Sequence, residues 1–167
     1  MMDSENPARK ARLDKALKLF REAYTHQMSG ELDEAAALYQ ASIQLFPTAE
    51  AHTFLGWTYS YQGRLEDAIS ECQRAIEVDP EFGNPYNDIG VYLIEQQKYE
   101  EAISWLERAL LAGRYESYHV PWFNLGRAHA ALEFYTRALE CFRHALAIEP
   151  EYEPAADALR SVRLKIH

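Results

Sequence analysis

Phe54-Leu55-Gly56-Trp57-Thr58-Tyr59 returns as Asp88-Ile89-Gly90-Val91-Tyr92-Leu93 and as Asn124-Leu125-Gly126-Arg127-Ala128-His129, with the glycines 34 and 36 residues apart. An alanine follows each glycine at a spacing of 12, in Glu66-Asp67-Ala68-Ile69, Glu100-Glu101-Ala102-Ile103 and Thr136-Arg137-Ala138-Leu139. Asp33-Glu34-Ala35-Ala36 is an earlier copy of that marker. A third marker runs through Arg74-Ala75-Ile76, Arg108-Ala109-Leu110 and His144-Ala145-Leu146, with Ala41-Ser42-Ile43 ahead of them. Four units in register follow, and a period of this length in helix-forming sequence predicts stacked supersecondary units, none able to bury its apolar face alone.

Within a unit, small residues belong where two helices cross closely and large ones fill between, so Gly56, Gly90, Gly126 and the alanines mark crossings. Pro47, Pro80 and Pro150 close three units just past runs of helix formers, since proline cannot continue a helix. The third unit ends on Ala112-Gly113-Arg114, where Gly113 is expected to take the left-handed conformation of a helix C-terminus. Short turns at Gly30-Glu31-Leu32, Gly63-Arg64-Leu65 and Gln97-Lys98-Tyr99 join the paired helices. The units are placed at 16–48, 49–82, 83–118 and 119–152. Residues 1–15 extend the first helix, which should run from about Pro7 to Met28 with Ala23 in the glycine position. Residues 153–167 form a capping helix with Ala155, Ala158, Leu159, Val162 and Ile166 on its apolar face.

The register resembles the tetratricopeptide repeat family, whose pattern is Trp-x2-Leu-Gly-x2-Tyr, then Ala-x3-Phe, then Pro. Trp122-x2-Leu125-Gly126 and Leu55-Gly56-x2-Tyr59 carry the first block; Ala35-x3-Tyr39 and Ala138-x3-Phe142 carry the second. His52 stands in the Trp place, while His26 and His129 stand in the Tyr place. The resemblance covers about residues 16–152 and implies an all-α fold, a right-handed superhelical α-solenoid of tetratricopeptide helix pairs. It implies a concave groove lined by the first helix of each unit. Sites three before, one after and four to five after each glycine would face it: Phe20, Tyr24, Gln27 and Met28; Thr53, Trp57, Ser60 and Tyr61; Asn87, Val91, Ile94 and Glu95; Phe123, Arg127, Ala130 and Ala131. From these, Phe20, Tyr24, Trp57, Tyr61, Asn87, Asn124 and Arg127 are the candidate peptide-binding residues. Exposed aromatics are costly unless covered, and aromatic and Arg side chains dominate binding hot spots. Asn87 and Asn124 lie at or next to sites where similar proteins bond a peptide backbone, and Arg127 could pair with a carboxylate. The carboxylate clamp of co-chaperone relatives is not expected, because Phe20, Tyr24 and Asp88 occupy its places. The two added residues in the 113–121 junction, with Asn87 to Leu93, also resemble the type IV pilus pilotin group, without that group's lipid anchor.

The chain has 167 residues, 48% hydrophobic, and a net charge of -9. That charge divides into +3 over residues 1–21, -15 over 22–158 and +3 over 159–167. The acidic body repels phosphate backbones, so nucleic acid is not expected as a partner. No apolar run approaches a membrane span and the amino terminus does not read as a secretory signal, which makes cytoplasmic residence the expectation. Cys72 and Cys141 should be reduced, buried thiols. No phosphate loop, His-Glu-x-x-His or Cys-x-x-Cys occurs, and Cys141-x2-His144 with Glu140 is too small a set for a structural zinc. The sequence therefore predicts a non-enzymatic scaffold or adaptor without cofactor or metal. It would bind a protein or peptide partner, basic or with apolar and aromatic anchors, and the alternative is a self-associating assembly factor forming a weak homo-oligomer.

Overall fold

A computed structural model describes residues 6–166, and among them stand nine α-helices: α1 Pro7–Met28, α2 Leu32–Leu45, α3 Ala49–Tyr61, α4 Leu65–Val78, α5 Asn84–Glu95, α6 Tyr99–Leu111, α7 His119–Ala131, α8 Tyr135–Ile148 and α9 Glu153–Arg163. The architecture is all-α. The chain divides into two compact units, Met1–Asp79 and Pro80–His167. In the first, α1 packs on α2, α2 on α3, and α3 on α4. In the second, α5 packs on α6, α6 on α7, α7 on α8, and α8 on α9.

Local chemistry sets the helix ends. Asn6 caps α1 by accepting from Ala8 N at 3.0 Å, with Pro7 in the first turn, and Thr48 caps α3 by accepting from Ala51 N at 3.1 Å. Carboxylates fill the first turns of α2, α4 and α6, where they meet the positive end of the helix dipole. Phe46, Asp79 and Glu149 cap α2, α4 and α8 in extended conformations, as a residue preceding proline must.

The crossings explain the glycines. A Cβ on Gly56 would lie 2.9 Å from the Ala68 carbonyl oxygen, one on Gly90 2.5 Å from Leu106 Cγ, and one on Gly126 2.3 Å from Phe142 Cε1. Tyr39, Cys72, Leu106 and Phe142, four residues after the register alanines, are all buried. They are the large residues that fill beside the small ones. In the turns joining paired helices, Gly30 (φ 79°), Gly63 (φ 76°), Gln97 (φ 61°) and Glu133 (φ 63°) occupy equivalent left-handed positions. Two of the four units therefore place a residue with a Cβ where glycine costs least.

Gly113 departs from expectation: its φ is not in the left-handed region. The third unit ends on Ala112 in an extended conformation instead, and Gly113 N donates to Glu81 Oε2 at 3.0 Å, with that oxygen 2.5 Å from where a Cβ would be. Around it the two-residue insertion forms a short parallel bridge, Phe82 to Arg114, held by Gly83 N to Arg114 O at 3.0 Å and Arg114 N to Glu81 O at 2.8 Å. The second compact unit closes with α9, which lays Leu159 and Val162 on Ala138, Leu139 and Phe142 of α8. Ile166 was expected on that face, but the helix stops at Arg163 and leaves it exposed. Among the described residues, no element extends past the last turn to cover it.

Candidate functional site

In the first compact unit, Met1–Asp79, the aromatic candidates form one continuous series of rings across α1 and α3. Phe54 is its hub, with ring centroids 5.3 Å from Phe20, 5.8 Å from Tyr24, 6.2 Å from Tyr39 and 5.6 Å from Trp57. Trp57 continues to Tyr61 at 5.5 Å. Most of these pairs are tilted or edge-on, the arrangements that the ring quadrupole favours. Tyr39 lies at the floor, its hydroxyl donating to Gln27 Oε1 at 2.8 Å, and burial, with Tyr24 adding, pushes its phenol well above the ordinary tyrosine range. Tyr24 is 42% and Tyr61 59% exposed, and Met28 beside them is exposed too. Phe20 and Trp57 are half-buried. Gln27 is only 5% exposed, and its Nε2 has no hydrogen-bond partner. Thr53, expected to face a groove, is buried, with its hydroxyl turned back to the Ala49 carbonyl oxygen at 2.8 Å.

Phe54 was missing from the sequence expectation. Its signal was present: it stands two before Gly56, the register position of Asp88 and Asn124.

In the second compact unit, Pro80–His167, the polar candidates make a hydrogen-bonded ladder. Arg127 Nη1 donates to Asn124 Oδ1 at 2.9 Å, Asn124 Nδ2 to Asn87 Oδ1 at 3.0 Å, and Asn87 Nδ2 to Asp88 Oδ1 at 3.4 Å. Asn87 and Asn124 are 6% and 3% exposed. The two asparagines are therefore not open groove sites as expected; each is engaged with the other, because facing amides on α5 and α7 satisfy each other at that crossing. Arg127 remains half-buried, its guanidinium 5.8 Å from the Phe123 ring centroid. Asp88 ends the ladder. Burial pushes its carboxyl up to about 7, against the opposing effect of the Asn87 hydrogen bond. Tyr115, from the inserted loop, is raised as well, by burial first and then by Asp88 and Tyr152.

Several other titratable groups are engaged in packing. His52 Nδ1 pairs with Glu71 Oε2 at 2.7 Å, both buried, and Arg74 Nη1 donates to Glu71 Oε1 at 2.9 Å. With Gln40, Gln44 and Tyr59 they line a depression of about 320 Å³. His144 stacks on Trp122 at 4.3 Å. The neighbouring Cys141 thiol is pushed up to about 11, by burial and then by Glu140 and Glu107, away from the thiolate a metal needs. His129 is buried and its pKa lowered, by burial first and then by Arg137.

The tetratricopeptide repeat pattern matches this chain four times, over residues 19–49, 49–82, 86–114 and 120–152. The chain belongs to the tetratricopeptide repeat family. Tetratricopeptide repeat protein 21B of Mus musculus is 27% identical over 71% of this chain, and the chain spans 9% of that protein's length. Among solved structures, PilW, described as a widely conserved type IV pilus biogenesis factor, superposes with a TM-score of 0.82 at 18% identity, covering 89% of this chain and 69% of its own. The first tetratricopeptide domain of Spaghetti (RPAP3), bound to the HSP90 peptide SRMEEVD, gives 0.66 at 23%, covering 71% and 93%. At these identities the structural likeness is one of fold. Tetratricopeptide chains are protein-interaction modules, and none of the described helices in this one is long and apolar enough to cross a membrane.

Proposed function

We propose that this tetratricopeptide chain is a non-enzymatic adaptor that holds a peptide or helix of a partner protein on the aromatic surface of its first unit. The observation that carries the reading is the ring series Tyr24, Phe54, Trp57 and Tyr61, which continues from a buried floor to two broadly exposed phenols. A core needs no such continuation, and exposed aromatics in a contiguous set are characteristic of binding hot spots. Reduced, buried Cys72 and Cys141 fit residence in the cytoplasm.

Recovery of partners from native lysate by the wild type and by a folded Trp57→Ala, Tyr24→Ala double variant tests the proposal. Each truncated anchor should cost about 2 kcal/mol, so the pair should lose partner recovery almost completely. Unchanged recovery refutes the aromatic surface. A second reading, self-association as an assembly factor, is favoured by exposed Leu164 and Ile166 after α9 and by the fold likeness to PilW. Light scattering over a concentration series decides it, and a strictly monomeric profile removes it.

A further inference from the structure

The exposed part of the ring series carries polar handles as well as apolar faces. Trp57 has an indole N–H, which can only donate, and Tyr24 and Tyr61 have phenol O–H groups. None of the three makes a side-chain hydrogen bond among the described residues, and the Trp57 Nε1 is not enclosed. The packed tyrosines of the same compact unit differ: Tyr39 is bonded to Gln27 at 2.8 Å and Tyr59 to Gln40 at 2.7 Å. Where the rings reach the surface, their donors are left for a ligand.

Charge and hydrogen bonding narrow what that ligand is. Met28, one turn beyond Tyr24, is 54% exposed and Leu17, two turns before it, 38%, so the face continues as apolar surface. Arg21, exposed one turn before Tyr24, flanks the face and disfavours a cation. The negative ring faces disfavour an anion. An uncharged, largely apolar ligand that brings hydrogen-bond acceptors is what fits. An amphipathic helix is a poor match, because its carbonyls are spent on its own N–H groups except in the last turn. An extended strand brings as many N–H donors as carbonyls, and a face of donors leaves the former unmatched. A polyproline II segment brings carbonyls free along its length, pyrrolidine rings as apolar matter and, at each proline, no N–H to satisfy. The spacing agrees. Successive ring centroids from Tyr24 through Phe54 and Trp57 to Tyr61 are 5.8, 5.6 and 5.5 Å apart, and at about 3.1 Å per residue roughly two polyproline II residues cover each step.

We infer, resting on the aromatic-surface reading above, that the Tyr24, Trp57 and Tyr61 face receives a proline-rich segment of the partner protein in the polyproline II conformation. The indole N–H and the two phenol O–H groups donate to its backbone carbonyls, and the rings cover its prolines. Such a segment is already extended before it docks, so little conformational entropy is lost on binding.

The test is an NMR titration of the full chain with acetyl-(Pro)8-amide, against acetyl-(Gly-Ser)4-amide and an amphipathic helical peptide of Leu and Gln. Saturable shifts of the Trp57 indole N–H and of the Tyr24 and Tyr61 rings are expected with octaproline alone. Trp57→Phe and Tyr61→Phe each keep a ring and remove one donor, and each should weaken octaproline about fivefold, the loss of one neutral hydrogen bond. Trp105→Phe, which changes an indole on α6, should leave the affinity unchanged. Absence of saturable shifts with octaproline, undiminished affinity in both donor-less variants, or saturation of the same resonances by the helical peptide instead overturns the inference. Inert octaproline alongside lost partner recovery in the Trp57, Tyr24 double variant removes the proline ligand alone. Saturable octaproline binding with recovery intact in that variant removes the adaptor role of the surface alone.

Discussion

Replacing Asp88 by asparagine should stabilise the protein at neutral and alkaline pH while leaving it nearly unchanged in mild acid. The Asp88 carboxyl is raised from 3.8 to about 7 by burial. Between those values the folded chain keeps a proton that the unfolded chain has released, so stability falls as pH rises through the window and the loss is complete above about 7. About three pH units at 1.36 kcal/mol each set a ceiling of about 4 kcal/mol. Water entry and relaxation on ionisation reduce the working figure to about 2 kcal/mol. The substituted amide carries no such penalty and its oxygen still accepts from Asn87 Nδ2, extending the ladder by one amide of the kind already present at the equivalent position in Asn124. Urea unfolding of both proteins at pH 4.5 and pH 8 reads the difference. The variant should gain about 2 kcal/mol at pH 8 and less than half of that at pH 4.5. An equal difference at both values, or a wild type more stable than Asp88→Asn at pH 8, refutes the account of Asp88 as an uncompensated carboxyl.

Gly126→Ala should cost about 2–3 kcal/mol in urea unfolding, because the new methyl meets the buried Phe142 ring at 2.3 Å, and adding Phe142→Leu should recover part of it. Failure of the second substitution to recover any stability would separate the two residues. Gln97→Gly and Glu133→Gly should each raise stability by about 0.5–1 kcal/mol by relieving a left-handed residue, partly offset by a freer unfolded chain, whereas Gly63→Ala should lower it by about 1 kcal/mol. Thermal melts in which all three changes share one sign would contradict the turn geometry.

The repeat register was legible because each marker carries its own steric reason: glycine where Ala68, Leu106 or Phe142 crosses, alanine and proline at fixed distances from it. Histidines in consensus aromatic places were legible in the same way, and His52 and His129 are packed within their units. The candidate surfaces were less so. Sequence spacing places Asn87 and Asn124 near a groove, but that they bond to one another depends on the distance between α5 and α7, which no spacing within one helix contains. Phe54 was overlooked because a position relative to glycine identifies a face, while centrality among five rings is a property of three helices together. Gly113 met a general rule for helix ends, and the rule gave way to a contact with Glu81, 32 residues earlier in the chain. Contacts between separate loops of this kind, including the Phe82 to Arg114 bridge, have no periodic trace.

The position two before each register glycine holds Phe54, Asp88 and Asn124: an aromatic hub, an acidic terminus and an amide relay. Backbone geometry would let these segments be exchanged, since each lies on the same turn of an equivalent helix. Their side chains forbid it. Moving Asn124 into place of Phe54 would remove the ring that joins Phe20, Tyr24 and Trp57, and moving Phe54 into place of Asn124 would strand Arg127 and Asn87 at opposite sides of a gap. The repeats are therefore interchangeable as scaffolding but addressed individually by one residue each, so a duplicated, deleted or shuffled unit would preserve the helices while scrambling what each stretch of surface can recognise.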